Sequence, residues 1–328
     1  MSIFVVGDTA LAEGLNLKNY DDIIKLIGSK PLLLNLEGPI LPDAHERIDV
    51  HEDYKFNLFS KESAFIKFSK DFNLLGVSLA NNHFGDYVGG EVSTLKTLNS
   101  NNINFAGLKD KPFFSFEFSG QKYIFYSFVS ELTDLSSNAK RKLNVFNYKK
   151  ICDEIKNLKS SNVDTKIIVS PHWGYESQEV PQQADKVLAK ELMVNGADFI
   201  IGHHPHVIQC FESDEETVFS VGNFILSKGP YRNRILSYNS PATKRFLVVE
   251  ISSKGIIRHL FSEQSEKYSY EGVVSSVACF ENTSVPKGYP EFTCWLSFRS
   301  CLFLKLFSIK KYIRKLLIFC RVHKPYNW

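Results

Sequence analysis

The chain has 328 residues, of which 44% are hydrophobic and 23% are charged, a composition that excludes an intrinsically disordered protein. The formal net charge of +3 is unevenly distributed along the chain. No acidic residue follows Glu291, whereas eight lysines and arginines do. The chain up to Glu291 therefore carries 31 basic and 36 acidic residues. This balance excludes a generally basic nucleic-acid-binding protein.

Short apolar segments rich in β-branched residues alternate with helical patterns over roughly the first two-thirds of the chain, which predicts parallel strands connected by helices. The predicted strands cover residues 2–7, 31–36, 73–80, 103–108, 165–170 and 197–202. The predicted helices cover residues 60–70, 88–100, 147–160 and 181–194.

Other segments predict antiparallel pairing. Residues 113–129 read FFSFEFSGQKYIFYSFV, in which Ser119-Gly120 predicts the turn of a hairpin. The later segments TVFSVGNFIL (217–226), RFLVVEIS (245–252) and GIIRHLF (255–261) have the same character. Mixed sheets covered by helices are therefore expected, in a layered α/β fold.

The segment from about Thr293 to His323 is aromatic, aliphatic and basic, which predicts an amphipathic helix. Its apolar face would contain Leu302, Leu306, Ile309, Ile313, Leu316, Leu317 and Cys320. Such a helix either lies on an anionic membrane leaflet or packs over a sheet face. Charged residues interrupt it too often for a transmembrane helix. We divide the chain into a main domain at 1–262 and a C-terminal extension at 263–328.

Two further features concern the cellular compartment. The six cysteines form no C-x-x-C pair, which predicts reduced thiols rather than a disulfide framework. The segment MSIFVVGD begins a strand at once and does not resemble a signal peptide. A cytoplasmic protein is therefore expected, with peripheral contact at the inner face of the cell membrane as an extension of that prediction.

Polar side chains follow the predicted strands at the point where each strand ends. They are Asp8, Glu37, Asn81, Asn82, His83, Asp86, His172, Glu176, His203, His204 and His206. Because the carboxyl ends of parallel strands share one edge of a sheet, we expect these side chains to converge in one crevice. Carboxylates, carboxamides and imidazoles suit one or two divalent cations, namely Mn²⁺, Fe²⁺ or Zn²⁺. Such a centre promotes displacement at phosphorus.

Each motif also has a purely structural explanation. A Gly-Asp pair after a strand commonly forms a turn, the Asn-Asn-His segment at 81–83 is able to cap the next helix, and His172 beside Trp173 is consistent with an ordinary buried histidine. The occurrence of all these motifs at successive strand ends favours the metal site.

These motifs resemble the CapA family of capsule-synthesis proteins. The matching segments are GD at the first strand, NLE at the second, SLANNHFGDYVGG, HWGYE with a downstream Pro181, NGADFIIGHHPHVIQ and SVGNF. The resemblance covers residues 1 to about 228. It implies a calcineurin-like metallophosphoesterase fold, which is a layered αββα sandwich of mixed sheets, and a role in the synthesis of poly-gamma-glutamate or another capsule polymer.

The resemblance also implies a role for individual residues. The metal ligands would be Asp8, Glu37, Asn82, His172, His204 and His206, with Glu37 in the bridging position. His83 would be the catalytic residue, which contacts the phosphoryl group or protonates the leaving oxygen. Residues beside these motifs are predicted to contact the substrate: His203, Trp173, Glu176 and Asn223.

Two positions depart from the family pattern. Calcineurin-type enzymes usually carry D-x-H at the first strand, whereas this chain has Ala10 two residues after Asp8, so the first metal would lack one imidazole. His203 occupies a position where the family usually has a small residue, and we interpret it as a neighbour of the ligands rather than as a ligand.

The predicted function is a metal-dependent phosphoesterase-like hydrolase that acts in the synthesis of a capsule, a surface polysaccharide or poly-gamma-glutamate. Its substrate would be a phosphorylated or polyanionic small molecule or glycan. The main alternative is a non-catalytic, metal-binding accessory subunit of a membrane-associated polymer synthase, because a fold does not guarantee an activity. A third interpretation is a sugar-binding module that uses Trp173 and Tyr175.

Overall fold

The computed structural model describes residues 2–277, except 14–16, 45–47, 52–56, 134, 212–215, 227–229, 232–233, 236–239 and 265–266. In these residues the strands are β1 (Ile3–Ala10), β2 (Leu32–Leu36), β3 (Ile40–Leu41), β4 (Ser60–Lys61), β5 (Leu74–Ser78), β6 (Asn104–Ala106), β7 (Phe113–Phe118), β8 (Gln121–Val129), β9 (Lys166–His172), β10 (Phe199–Ile201), β11 (Thr217–Val218), β12 (Asn223–Leu226), β13 (Pro230–Tyr231), β14 (Arg234–Ile235), β15 (Arg245–Ser252), β16 (Gly255–Gln264) and β17 (Lys267–Val273). The α-helices are α1 (Asp21–Ile27), α2 (Glu62–Asp71), α3 (Gly90–Ser100), α4 (Ser137–Lys142), α5 (Tyr148–Ser161) and α6 (Gln183–Val194).

The first large sheet is organised around β1. Its strand order is β17-β16-β15-β1-β2-β5-β6, and β12 also pairs with β1. Strands β1, β2, β5 and β6 run parallel to one another, whereas β15, β16 and β17 continue the sheet in antiparallel pairs. The first part of β1 pairs with β15, and its last part pairs with β12, so that Asp8 lies opposite Asn223.

The second large sheet has the order β11-β10-β9-β8-β7. Strands β8 to β11 are parallel, and β7 pairs with β8 as an antiparallel hairpin. The two residues of the hairpin turn, Ser119 and Gly120, have φ values of 54° and 77°, as a two-residue turn that matches the twist of the strands requires. The predicted hairpin is confirmed.

Apolar side chains hold the layers together. Alternate residues of β1 lie on opposite faces of its sheet: Val5 belongs to the core between the two sheets, whereas Phe4 and Val6 belong to the core beneath α1, α2 and α3. A third core joins the outer face of the second sheet to α5 and α6. The molecule is therefore a layered αββα sandwich of mixed sheets, which confirms the predicted fold class.

One predicted pairing is wrong. Residues 217–226 were expected to be antiparallel, but β11 pairs in parallel with β10 in the second sheet, and β12 pairs in parallel with β1 in the first. The chain crosses between the sheets through Gly222, whose φ is 79°. The alternation of apolar residues indicates a strand, but it carries no information about the direction of the neighbouring strand.

The first sheet continues past residue 262, because β16 ends at Gln264 and β17 forms the edge of the sheet. The amphipathic helix predicted near 293–323 lies outside the described residues, so the separate C-terminal extension stays a prediction. None of the helices in the described part of the chain has both the length and the apolar character that a bilayer span requires.

The sequence predicted that the cysteines are reduced thiols, but the two cysteines in the described residues differ from each other. Cys210 is disulfide-bonded, whereas Cys152 is a free thiol. Burial raises the pKa of the Cys152 thiol to about 11, so this side chain stays protonated and behaves as an apolar core residue. The absence of a C-x-x-C pair therefore does not exclude a disulfide.

We predict that Gly7→Ala lowers the free energy of unfolding by about 1–3 kcal/mol or more. A Cβ at position 7 would lie 1.9 Å from the carbonyl oxygen of Gly222, so the backbone between β1 and β12 must move. Urea denaturation measures the effect. Val194→Ala, at a side chain that is 84% exposed, is the control and should change stability by less than about 0.5 kcal/mol. An unchanged stability of Gly7→Ala would contradict this close approach.

Candidate metal centre

Side chains from both sheets meet where the parallel strands end. They lie near the end of β1, after β2, after β5, at the end of β9 and after β10, and are Asp8, Glu37, Asn82, His172, His204 and His206. All of them are buried. The convergence expected from the strand ends is therefore present in the structure, although it spans the edges of two packed sheets rather than one.

Three of these residues form the tightest group. One ligand atom from each of Asp8, Glu37 and His206 lies within 4.8 Å of the other two. Asp8 Oδ2 is 3.3 Å from His206 Nδ1, and Glu37 Oε1 is 3.7 Å from His206 Nε2. These two contacts use different nitrogens of His206, of which only one can bind a given cation. Donor atoms that each lie about 2 Å from one cation are separated by roughly 3–4 Å, so the three donors of this group lie close to the spacing for a single cation.

A second group lies directly beside the first. His172 Nε2 is 2.8 Å from Asn82 Oδ1, and the ring centroid of His172 is 4.8 Å from that of His204. The ring of His204 is in turn 6.0 Å from the ring of His206. Asn82, His172 and His204 therefore offer one oxygen and two imidazoles next to the Asp8 group.

The backbone of the His204-Pro205-His206 segment is strained. His204 and His206 have φ values of 99° and 59°, a region that costs a residue other than glycine on the order of 1–3 kcal/mol. In this conformation the His204 N–H donates a hydrogen bond of 3.2 Å to Asp8 Oδ2. The turn brings the two imidazoles beside the carboxylates of the first sheet, and backbone strain of this kind concentrates at functional sites.

The buried charges shift the pKa values of the first group. Burial and the charge of Asp8 raise the pKa of Glu37 to about 8. Burial acts against protonation of His206, but the charges of Glu37 and Asp8 outweigh it and raise its pKa to about 10. Burial likewise opposes ionisation of Asp8, yet its interactions with His203 and His206 hold its pKa well below the usual range. Glu37 and His206 therefore both remain protonated at neutral pH.

The imidazoles of the second group are neutral. Burial lowers the pKa of His172 well below its usual value, and it lowers the pKa of His204 to about 4. The neutral form of histidine is the one that binds metal ions. At neutral pH these two side chains can therefore bind a cation without first losing a proton.

The donor atoms of these residues are chemically suited to binding a divalent cation. Within the described residues, neither carboxylate oxygen of Glu37 has a hydrogen-bond partner, and Nδ1 of His204 has none. A fully buried carboxylate is costly unless it is hydrogen-bonded, paired or bound to a metal. Oxygen and imidazole donors without a thiolate suit Mn²⁺, Fe²⁺ or Zn²⁺.

Two asparagines that were not among the predicted metal ligands support the Asp8 carboxylate. Asn35 Nδ2 donates to Asp8 Oδ1 at 2.7 Å, and Asn81 Nδ2 donates to Asn35 Oδ1 at 3.2 Å. Asn35 precedes Glu37 by two residues, so the two side chains share one face of β2 and its extension. That spacing is a signal by which Asn35 could have been found, and the position of Asn81 after a predicted strand is the signal that placed it among the side chains expected to converge.

His83 and Asp86 form a pair at the edge of the site. His83 Nδ1 is 2.8 Å from Asp86 Oδ2, and the same oxygen accepts a hydrogen bond from the Leu58 N–H at 2.8 Å. Burial alone would lower the pKa of His83, but the Asp86 carboxylate outweighs burial and raises it. The His83 side chain is 12% exposed, so solvent can reach this imidazole.

Two of the four predicted substrate-contacting residues, Trp173 and Asn223, have contacts that the sequence did not predict. Trp173 is 1% exposed, and its Nε1–H donates to the Phe219 carbonyl at 2.8 Å. Asn223 Oδ1 is 2.7 Å from Nδ1 of His206. Trp173 is therefore a core residue, which corrects its predicted role and removes it from a sugar-binding surface. Asn223 orients a histidine of the site, and its contact with the substrate stays a prediction.

The other two residues lie close to the site in different ways. His203 is buried, and its Nδ1 is 3.5 Å from Asp8 Oδ1. Glu176 is exposed, and its charge acts on Glu37, His83 and His204. Glu176 therefore lies at the rim, where a role in substrate contact stays a prediction.

We predict that cation binding releases protons and strengthens as the pH rises from 6 to 9. A divalent cation binds carboxylate and neutral imidazole, whereas the raised pKa values of Glu37, about 8, and His206, about 10, keep both groups protonated at pH 7. Titration calorimetry with Mn²⁺ in buffers of different ionisation enthalpy measures the released protons. Binding at pH 7 without proton release would contradict the electrostatics of the group.

Comparison with known proteins identifies related sequences. The model of the bacterial capsule synthesis protein family PGA_cap matches residues 2–228. The capsule biosynthesis protein CapA of Bacillus anthracis is 28% identical over 219 residues, which cover 61% of this chain and 51% of that protein. The PGA biosynthesis protein CapA of Bacillus subtilis (strain 168) is 40% identical over 70 residues, or 21% and 18% of the two chains. The chain thus spans about half the length of the first relative and less of the second.

Solved structures with a similar course of the chain have low sequence identity. A hypothetical protein from Thermus thermophilus is 16% identical with a TM-score of 0.46, over 80% of this chain and 100% of that one. The NAD nucleotidase NadN of Haemophilus influenzae is 13% identical with a TM-score of 0.42, over 84% and 60%. Since the family match covers more than half of its residues, the chain belongs to the bacterial capsule synthesis protein family.

Proposed function

We propose that this protein is a metal-dependent phosphoesterase-like hydrolase that acts in the synthesis of a capsule or another surface polymer. The observation that carries the proposal is the buried group of Asp8, Glu37 and His206, in which Glu37 has no hydrogen-bond partner within the described residues. The hydrogen-bonded pair of His83 and Asp86 lies beside this group. Family membership supports the link to capsule synthesis.

Each group of ligands has a separate part in the proposal. Asp8, Glu37 and His206 would hold one cation, and Asn82, His172 and His204 would hold a second, with Glu37 between them. A cation held there, Mn²⁺, Fe²⁺ or Zn²⁺, would supply Lewis-acid charge for displacement at phosphorus. Asn35 and Asn223 fix the orientation of Asp8 and His206 through hydrogen-bond contacts of 2.7 Å.

His83 is the proposed general acid. Its Nδ1 faces Asp86, so Nε2 is the nitrogen that delivers the proton to the departing alcohol. The Asp86 carboxylate raises the pKa of the ring, which favours the protonated state that a general acid requires. The proposed substrate is a phosphorylated or polyanionic small molecule or glycan, with Glu176 at the rim as a contact for its polar groups.

Position 10 favours a second candidate function. Ala10 is fully buried in an apolar cluster with Leu41 and Phe59, so β1 contributes only Asp8 to the cation group. A centre with fewer imidazoles suits a metal-stabilised accessory subunit of a membrane-associated polymer synthase that has no turnover of its own. Metal-dependent stability without hydrolysis of any phosphoester would favour this candidate.

The cellular location and the membrane contact are also proposals. The basic segment near 293–323, which motivates contact with an anionic membrane or a membrane synthase, lies outside the described residues. The disulfide at Cys210 favours an oxidising compartment over the cytoplasm that the sequence predicts, because such bonds are rare in the cytoplasm.

We predict that Asp8→Asn and His204→Ala each reduce the amount of tightly bound metal and abolish phosphoester hydrolysis. Each substitution removes one donor from a different group of the centre. Elemental analysis after dialysis gives the metal content, and a panel of phosphate mono- and diesters gives the activity.

The matched control for these variants is Asp198→Asn. The Asp198 carboxylate is paired with Lys159 and Lys166 near the start of β9 and β10, at the opposite end of these strands from the metal ligands. This control should retain metal and activity. An unchanged metal content in both Asp8→Asn and His204→Ala would refute the assignment of the ligands.

We predict that His83→Gln lowers kcat by about 10²- to 10⁴-fold and leaves the metal content unchanged. Asp86→Asn should retain part of the activity and shift its alkaline limit to lower pH, because Asp86 raises the pKa of His83 and the acid is active only while protonated. The pH dependence of kcat measures this shift. A His83→Gln enzyme with full activity would exclude His83 as the general acid.

A further inference from the structure

One buried histidine beside the metal centre is not accounted for by the proposed ligands. His203 is 1% exposed, and within the described residues neither of its ring nitrogens has a hydrogen-bond partner. Buried polar atoms are nearly always paired, so an orphan of this kind requires an explanation. The carboxylate that the ring approaches is Asp8, whose Oδ1 lies 3.5 Å from His203 Nδ1.

The backbone holds the His203 ring in a fixed place. The His203 N–H donates to the Pro171 carbonyl at 2.9 Å, and the His203 carbonyl accepts a hydrogen bond of 3.1 Å from the Trp173 N–H. These bonds extend the parallel pairing of β9 and β10 by one bridge, between His172 and His203. The second sheet therefore positions this imidazole against a carboxylate that belongs to the first sheet.

The two oxygens of Asp8 have different surroundings. Oδ2 accepts the His204 N–H and lies beside His206, on the side of the proposed cation. Oδ1 accepts the hydrogen bond from Asn35 and faces His203. A donor on Oδ1 therefore controls the direction in which Oδ2 points. Position 10 of the same strand cannot contribute, because Ala10 has no donor side chain.

We infer that His203 is a positioning residue for the metal centre: when a cation is bound, its Nδ1–H would close from 3.5 Å to hydrogen-bond distance of Asp8 Oδ1 and hold Oδ2 toward Glu37 and His206. This inference rests on the proposed metal-dependent function and assigns His203 neither to the ligands nor to substrate contact. Outer partners of this kind fix the orientation of a ligand, and their loss typically weakens metal binding by roughly 10- to 100-fold.

The test compares three substitutions of His203 by the affinity of the full chain for Mn²⁺ and Co²⁺. In the His203→Asn variant, the amide nitrogen of the new side chain lies near the position of Nδ1 of the histidine. In the His203→Gln variant, it lies near the position of Nε2. We expect His203→Asn to retain the metal affinity, and we expect His203→Gln and His203→Ala to lose about 10- to 100-fold. If His203→Ala fails to fold, the Asn and Gln variants still decide the question.

The matched control is His259→Gln. His259 is also a buried histidine next to a carboxylate, with Nε2 2.9 Å from Glu250 Oε2, but it lies on β16, away from the strand ends that carry the ligands. Its substitution should leave the metal affinity unchanged. Equal losses in the His259 and His203 variants would show a general effect of destabilisation and would overturn the inference.

The visible spectrum of the Co²⁺-loaded protein separates positioning from ligation. We expect His203→Gln to bind Co²⁺ more weakly with an unchanged spectrum, because the ligands remain the same. A spectrum that shifts with the loss of an imidazole would make His203 a ligand and overturn the inference, as would unaltered affinity in every His203 variant. Weakened metal binding in a protein without phosphoesterase activity would support the inference while refuting the proposed hydrolase.

Discussion

Two fully buried carboxyl groups, Asp8 and Glu37, are the constraint on which the rest of the site depends, because neither can carry a negative charge there without a partner. Both are fully buried, and the charge of Asp8 contributes to the raised pKa of Glu37. Leaving such charges unpaired costs several kcal/mol each by the usual order of magnitude. The surrounding side chains compensate: Asn35 and the His204 N–H bind Asp8, and His206 lies between the two carboxylates.

This compensation links the two sheets. The carboxylates belong to the first sheet, whereas the imidazoles of His172, His204 and His206 follow strands of the second. Apolar contacts between the sheets set the distance, and the strained turn at His204 and His206 sets the direction of the rings. A site built this way tolerates little change in the packing between the layers, because a small shift would separate each carboxylate from its partner.

The crossing of the chain at Gly222 completes the arrangement. It carries the chain from β11 in the second sheet to β12 in the first, where Asn223 lies opposite Asp8 and contacts His206. Asn35 and Asn223 thus support two of the proposed ligands, Asp8 and His206, and His83 lies at the edge of the same site. The proposed hydrolase function rests on this arrangement.

The sequence was sufficient to predict the layered α/β fold class and the ends of the strands, because apolar periodicity locates strands. It also identified the site residues Asp8, Glu37, His172, His204 and His206, because polar side chains at strand ends are conspicuous. Four features could be established only from the contacts in the folded chain. They are the parallel direction of 217–226, the burial of Trp173 in the core, the support of Asp8 by Asn35 and the position of His203. These features depend on contacts between residues far apart in the chain. The physical reason is that periodicity reports whether a side chain is buried, and not which neighbour it meets there.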